Sequence, residues 1–83
     1  MDKVLITVYV PSLGKNYELL VPIVLPLHEV ISYISTAIEQ FSEGQYHSSH
    51  KEILCTKEDG KILNMNYSIY ELKIQNGTTL ILI

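Results

Sequence analysis

The most regular pattern of apolar and polar positions in the chain lies between Leu27 and Phe41. Apolar residues recur there at the three- and four-residue spacing of one helical face, and most of the other positions are polar. The apolar positions are Leu27, Val30, Ile31, Ile34, Ala37, Ile38 and Phe41. Pro26 precedes them, where a proline is tolerated, and Gly44 follows at C-cap distance. The pattern predicts one amphipathic helix that the rest of the chain must cover.

Five shorter stretches have the composition of β-strands, since they are rich in β-branched and other apolar residues. They cover residues 3–10, 17–21, 52–56, 61–63 and 79–83. The first two are separated by a turn of hairpin length that contains Gly14. Between residues 64 and 74 the apolar positions have no clean period. We therefore expect that segment to be irregular or to form a helical turn.

The first and last of these strands are the most continuously apolar, which is typical of strands in the centre of a sheet. Placing them side by side as a parallel pair gives a mixed sheet with the helix across one face. The element order is then β-β-α-β-β-β. We predict an α+β fold of the β-grasp type, formed as a single domain by residues 1–83.

Charge and composition narrow the classes of function. The chain has 83 residues, a formal net charge of −3, and six basic residues that are all lysine. Without arginine or a basic cluster, we expect no binding to nucleic acid. We see neither a signal-peptide pattern nor an apolar run of about 20 residues, so we expect a cytoplasmic location without membrane insertion. Cys55 is the sole cysteine, and we expect it to be a small core residue.

Candidate catalytic and metal-binding residues are few. His47 and His50 are three residues apart, but they lack a third ligand in the sequence nearby, so solvated loop histidines are the better interpretation. Glu58 and Asp59 adjoin Gly60 and are typical of a turn rather than of an acid–base pair. We therefore expect no metal, no cofactor and no enzymatic activity. Tyr46, Tyr67 and Tyr70 are predicted to cover edges of the core with their hydroxyl groups in water.

Two stretches resemble ubiquitin. Residues 68–83, SIYELKIQNGTTLILI, are similar to the stretch of ubiquitin in which a helical turn, an Ile-Gln pair and a Thr-Leu strand follow one another. Residues 58–63, EDGKIL, resemble the turn before it. The similarity of pattern spans nearly the whole chain, and it implies the ubiquitin-like form of the β-grasp fold.

A closer resemblance is to the small bacterial ubiquitin-like proteins of type VII secretion, the YukD/EsaB family. It is carried by residues 17–22, YELLVP, by Leu25-Pro26-Leu27 at the helix start, and by residues 74–77, IQNG. Thr78 departs from the family, many of whose members have an aspartate there. The resemblance implies a non-enzymatic accessory protein of the secretion apparatus, whose partners are other protein subunits of that apparatus.

Two alternatives remain open. One is a ubiquitin-like protein-binding domain of another context. The other is a modifier or sulfur carrier, which needs a flexible Gly-Gly tail to enter an activating enzyme. The sequence stops at Leu82-Ile83 within the predicted last strand, so we expect no such chemistry unless the reading frame continues into a glycine pair.

The outward face of the sheet is the predicted binding surface. If Ile53 and Cys55 face the helix together with the other inward residues, strand alternation turns six large apolar residues outward. They are Leu5, Tyr9, Leu20, Leu54, Ile81 and Ile83. Such a contiguous apolar patch indicates a docking surface, and the corresponding face of ubiquitin has that role. We predict partner binding by Leu5, Leu20, Leu54, Ile81 and Ile83. Association with a second copy of the chain, or strand propensity alone, would also explain these residues.

Overall fold

The computed structural model describes residues 2–83, in which four strands form one mixed sheet and a single helix packs across it. In chain order the elements are β1 (Lys3–Val10), β2 (Lys15–Pro22), α1 (Leu27–Phe41), β3 (Leu54–Thr56) and β4 (Thr79–Leu82). The strand order is β2-β1-β4-β3, with β1 and β4 parallel and the other neighbours antiparallel. This is the predicted α+β arrangement, with the first and last strands in the centre.

The β1–β2 hairpin is confirmed, although β2 begins two residues earlier than predicted. Its register runs from Val10 opposite Lys15 to Lys3 opposite Pro22. Gly14 has a φ of 64°, a conformation that glycine adopts without steric cost, and its N–H donates to the Val10 carbonyl at 2.8 Å. The ladder therefore extends fully to the turn.

Helix α1 has the predicted bounds, and six of its seven predicted apolar positions are buried or half-buried. Phe41 is the exception, because 57% of its surface is exposed. Its ring stacks instead on Tyr17 of β2, with ring centroids 6.2 Å apart and planes inclined by 22°. Phe41 lies in the last helical turn, where its side chain reaches the edge strand rather than the core.

The start of α1 is capped by the irregular segment that the sequence predicted. No side chain caps the helix at Pro26. Instead, the N–H groups of Leu27 and His28 donate to the carbonyls of Tyr67 and Met65 at 2.8 and 3.1 Å. The segment thus satisfies backbone donors that a helix leaves unpaired at its first turn.

The predicted strand at residues 61–63 is wrong. This stretch forms only an isolated bridge between Ile62 and Cys55, supported by the Thr56 N–H donating to Lys61 and the Leu63 N–H donating to Leu54, both at 2.9 Å. The turn at residues 57–60 brings the chain back beside β3, but the chain then leaves the sheet. Four strands are therefore present in residues 2–83 rather than five.

The core lies between α1 and the inner face of the sheet, and it contains Leu54, which was predicted to face outward. Leu54 is fully buried and is paired with Leu82, itself 1% exposed. Ile53 and Cys55, predicted to face inward, therefore lie on the outer face. Side chains alternate along a strand, so a one-residue error in orientation exchanges every residue of β3 between the two faces.

Candidate protein-docking face of the sheet

One row of side chains crosses the outer face of the sheet from β1 to the bridged segment after β3. Tyr9 lies beside Ile81 in the parallel pair, and Ile81 lies beside Cys55 in the antiparallel pair. Cys55 in turn lies beside Ile62. Residues directly opposite each other in a ladder place their side chains on the same face. Apolar side chains thus lie side by side across three strands and the bridge.

A second row adjoins the first. Ile53 and Ile83 exchange two backbone hydrogen bonds, each of 3.0 Å, so they are opposite each other just beyond β3 and β4. Each lies two residues from a member of the first row and therefore shares its face. We call the combined set the outer patch; it consists of Tyr9, Ile53, Cys55, Ile62, Ile81 and Ile83. Its most exposed members are Ile62 and Ile83, at 61% and 62%.

Leu5 and Leu20 form a separate apolar pair on the same face. They are opposite each other in the β1–β2 ladder and are 39% and 54% exposed. A polar row of Glu18, Thr7 and Thr79 lies between this pair and the outer patch. The single contiguous patch predicted from the sequence is therefore wrong, because the face is divided in two.

Cys55 is buried for a different reason from the one predicted. It is 4% exposed but does not belong to the core cluster around α1. On the outer face it lies between Ile81 and Ile62, one on each side. The thiol therefore sits at the bottom of the outer patch. The sequence analysis missed Ile53, Cys55 and Ile62 as members of this surface, and pairing Leu54 with Leu82 as two inward residues would have found the first two.

The turn after β3 is held by a hydrogen-bonded carboxylate. Asp59 accepts hydrogen bonds from the hydroxyl of Thr56 and from the backbone N–H of Lys61. These two donors hold the pKa of Asp59 below its ordinary value of 3.8. Asp59 thus stays ionised and fixes the turn rather than acting as an acid or a base.

The loop between α1 and β3 is organised by Glu52, which is 6% exposed. Its Oε2 accepts a hydrogen bond from the hydroxyl of Tyr46 at 2.6 Å, and its Oε1 accepts one from the hydroxyl of Ser48 at 3.1 Å. Tyr46 is 8% exposed, so the prediction that its hydroxyl lies in water is wrong. Tyr67 and Tyr70 remain exposed, at 50% and 72%.

The pKa values of this pair move in opposite directions. Burial raises the pKa of Glu52, but the hydrogen bonds from Tyr46, Ser48 and the N–H of Ser49 outweigh it and hold the pKa below 4.5. Burial, followed by the hydrogen bond to Glu52 and its negative charge, raises the pKa of Tyr46 well above 10.0. An ionised carboxylate and a neutral phenol are therefore the stable combination.

Neither a metal-binding cluster nor a membrane-spanning helix is found in the described part of the chain. No three of its His, Cys, Asp and Glu side chains are grouped so that they could hold a metal ion. Its helix is also too short and too polar to cross a bilayer.

Comparison with known proteins identifies the fold. Neither a protein-family model nor a curated protein sequence matches the chain. Among solved structures, the ubiquitin-like domain of ECCD1, a type VII secretion system protein of Mycobacterium tuberculosis, superposes with a TM-score of 0.77 at 13% identity. That superposition covers 100% of this chain and 99% of the other. The chain has a ubiquitin-like fold.

Two further ubiquitin-like neighbours have similar scores. The EccD5 ubiquitin-like domain from Mycobacterium xenopi has a TM-score of 0.82 at 15% identity, over 100% of this chain and 94% of that one. A chain of the MycP5-free ESX-5 inner membrane complex has a TM-score of 0.72 at 17% identity, over 100% of this chain but 21% of its own length. At these identities the similarity establishes the ubiquitin-like fold alone.

Proposed function

We propose that this chain is a ubiquitin-like interaction domain of a bacterial type VII secretion apparatus, and that it binds another protein subunit through the outer patch. The observation that carries the proposal is the adjacent placement of six apolar or weakly polar side chains on the solvent side of the sheet. A sheet face that meets only water is normally polar at alternate positions. Large contiguous apolar patches on soluble domains mark binding surfaces.

The exposure of Ile62 and Ile83 gives the proposed interface its centre. Burial of an isoleucine side chain contributes about 1.5–3 kcal/mol, and more than half of each of these two is exposed in the free chain. Cys55 already fills the space between Ile62 and Ile81, so the surface is closed rather than a deep cleft. A closed apolar centre with polar surroundings suits protein docking better than the binding of a small molecule. The proposed role is accordingly binding, without catalysis.

The assignment to secretion is supported by the neighbours whose names place them in type VII systems. In its finer form, the proposal groups the chain with the YukD/EsaB proteins, on the motifs at residues 17–22, 25–27 and 74–77. The proposed site of action is the cytoplasm, at the face of a membrane complex. Leu5 and Leu20 remain proposed contacts at the margin of the interface, while buried Leu54 is not available for binding.

The test compares tagged wild type with Ile62→Glu/Ile83→Glu in pull-downs from cytosol and detergent-solubilised membranes of cells that contain a type VII system. Val24→Glu/Tyr70→Glu is the matched control, because these residues are 58% and 72% exposed and lie outside the outer patch. Circular dichroism first establishes that all three proteins are folded. We expect mass spectrometry to find a subunit of the secretion apparatus with wild type and with the control, but not with the patch variant.

The other outcomes contradict the proposal at different points. Equal retention by the patch variant would show that the outer patch is not the interface. A partner unrelated to secretion would support a ubiquitin-like binding domain of another context. If light scattering shows a wild-type dimer that Ile62→Glu/Ile83→Glu makes monomeric, a second copy of the chain is the occupant instead.

A further inference from the structure

A groove beside the outer patch has chemistry that the apolar residues do not use. It has a volume of about 540 Å³ and lies between residues 56–58, at the end of β3, and residues 73–79, which lead into β4. Lys57 lines one wall and Lys73 lines the other. Two amines that are 16 residues apart in the chain thus border one concave surface. We call it the lysine groove.

The charge distribution of the chain makes the lysine groove unusual. Its lining contains two lysines and one acidic residue, Glu58, in a chain whose formal net charge is −3. The sequence between residues 16 and 50 contains four glutamates and no lysine, so the helix side is acidic. The groove is therefore a locally positive concavity on a negative protein.

Both walls are fixed before any ligand arrives. On the wall of Lys73, the Asn76 side chain accepts a 2.7 Å hydrogen bond from the Leu5 N–H, and the Gly77 N–H donates to the Leu5 carbonyl at 2.8 Å. The hydroxyl of Thr78 donates to the Gln75 carbonyl at 2.7 Å. On the other wall, Asp59 holds the turn that follows Lys57. A preorganised site loses little conformational entropy on binding.

The two lysines are free to meet a ligand. Both are exposed, and across residues 2–83 the hydrogen bonds that fix the walls use backbone groups and uncharged or acidic side chains instead. Lys73 also has a φ of 58°, a left-handed conformation that is unfavourable for a residue with a side chain. The fold thus holds a lysine at the groove at a position where glycine or asparagine would fit with less strain.

We propose that the lysine groove binds the carboxylate side chains of an acidic peptide segment. This deepens the proposed function, on which it rests for the identity of the protein that carries the segment. Thr79 belongs both to the groove and to the polar row of the sheet, two residues from Ile81 in the outer patch. Two residues span about 7 Å in a strand. A partner with an apolar residue on the outer patch can therefore place a nearby Glu or Asp between Lys57 and Lys73.

The test is a titration of the ¹⁵N-labelled chain with acetyl-Glu-Glu-Glu-Glu-amide, followed by amide chemical shifts. We expect saturable shifts at Gly77, Thr79 and their neighbours, and no saturable shifts there with acetyl-Lys-Lys-Lys-Lys-amide. The variant Lys57→Glu/Lys73→Glu should bind the acidic peptide about tenfold or more weakly. Lys3→Glu/Lys15→Glu is the control. Each Lys→Glu change removes two charge units, so both double variants take the net charge from −3 to −7.

The inference is overturned if the groove variant binds as tightly as wild type, or if the control loses as much affinity as the groove variant. It is also overturned if inorganic phosphate, but not the peptide, gives saturable shifts at the groove, since the site would then be one for small anions. The proposed function fails separately. If the outer-patch variant retains every partner while acidic peptide still binds at the groove, docking by the outer patch is wrong and the lysine groove stands.

Discussion

The hydroxyl of Tyr46 donates a 2.6 Å hydrogen bond to Oε2 of Glu52, and both side chains are buried. The same carboxylate accepts hydrogen bonds from the Ser48 hydroxyl and the Ser49 N–H, both at 3.1 Å. Three donors therefore surround a charge that burial would otherwise make unfavourable. This cluster fixes the loop that joins α1 to β3, and so it fixes where β3 begins.

Replacing Tyr46 by phenylalanine removes one of those donors and leaves a buried carboxylate oxygen with less support. We expect Tyr46→Phe to lower the free energy of unfolding by about 1–3 kcal/mol at neutral pH. Urea denaturation measures this change. Tyr67→Phe is the control, because Tyr67 is half exposed, and we expect it to have little effect. Equal effects from the two substitutions would show that the hydrogen bond to Glu52 contributes nothing.

The raised pKa of Tyr46 predicts a specific loss of stability at high pH. The phenol ionises near 10.0 in the unfolded chain but only at higher pH in the folded chain. Its contribution is therefore complete below pH 10.0 and is lost as the pH rises through the folded pKa. In the same urea experiments, we expect wild type to lose more stability above pH 10 than Tyr46→Phe loses. Parallel pH profiles would contradict the assignment.

Glu52 has the opposite pH dependence, because its folded pKa lies below the ordinary value of 4.5. Its contribution to stability is present above pH 4.5 and is lost as the pH falls through the folded pKa. We expect Glu52→Gln to be less stable than wild type at pH 7 and to show a smaller further loss below pH 4.5. Denaturation curves from pH 3 to 7 measure both effects. A steeper acid loss in Glu52→Gln than in wild type would refute this account.

The two neighbouring apolar residues of β3 should differ sharply in their effect on stability. Leu54 is fully buried in the core, so Leu54→Ala should lower the free energy of unfolding by about 2–5 kcal/mol. Ile53 is only partly buried and lies on the outer face, so Ile53→Ala should cost less than half as much. Chemical denaturation of both variants tests the orientation of β3. The reverse order would mean that β3 presents its other face to the helix.

The position of Cys55 between Ile62 and Ile81 predicts that Ile62 protects the thiol. Truncation in Ile62→Ala should speed the reaction of Cys55 with a thiol reagent such as dithionitrobenzoate several-fold, since the cysteine is only 4% exposed in the intact surface. We expect the free energy of unfolding to change by less than about 1 kcal/mol, because Ile62 is largely exposed. Leu20→Ala, on the distant strand β2, should leave the rate unchanged. An unchanged rate in Ile62→Ala would show that other residues cover the thiol.

The sequence by itself determined the helix, the first hairpin and the central position of β1 and β4. Helix α1 has seven apolar positions with one consistent period, and β1 is eight residues long and continuously apolar. Patterns of that length leave one secondary structure and one buried face. The hairpin follows from a short turn with glycine at the position that needs positive φ. All of these signals are local in the chain.

Only the tertiary structure decided which residues form the outer face at β3. That strand has three residues, each of them apolar or able to lie on either face, and alternation over three positions gives two equally good orientations. The choice is made by pairing with Leu82, 28 positions further along the chain, which turns Leu54 inward. The same holds for Ile62 beside Cys55, for Tyr46 on Glu52, and for the two lysines that border one groove. Each of these relationships depends on contacts between segments whose own sequences are compatible with more than one arrangement.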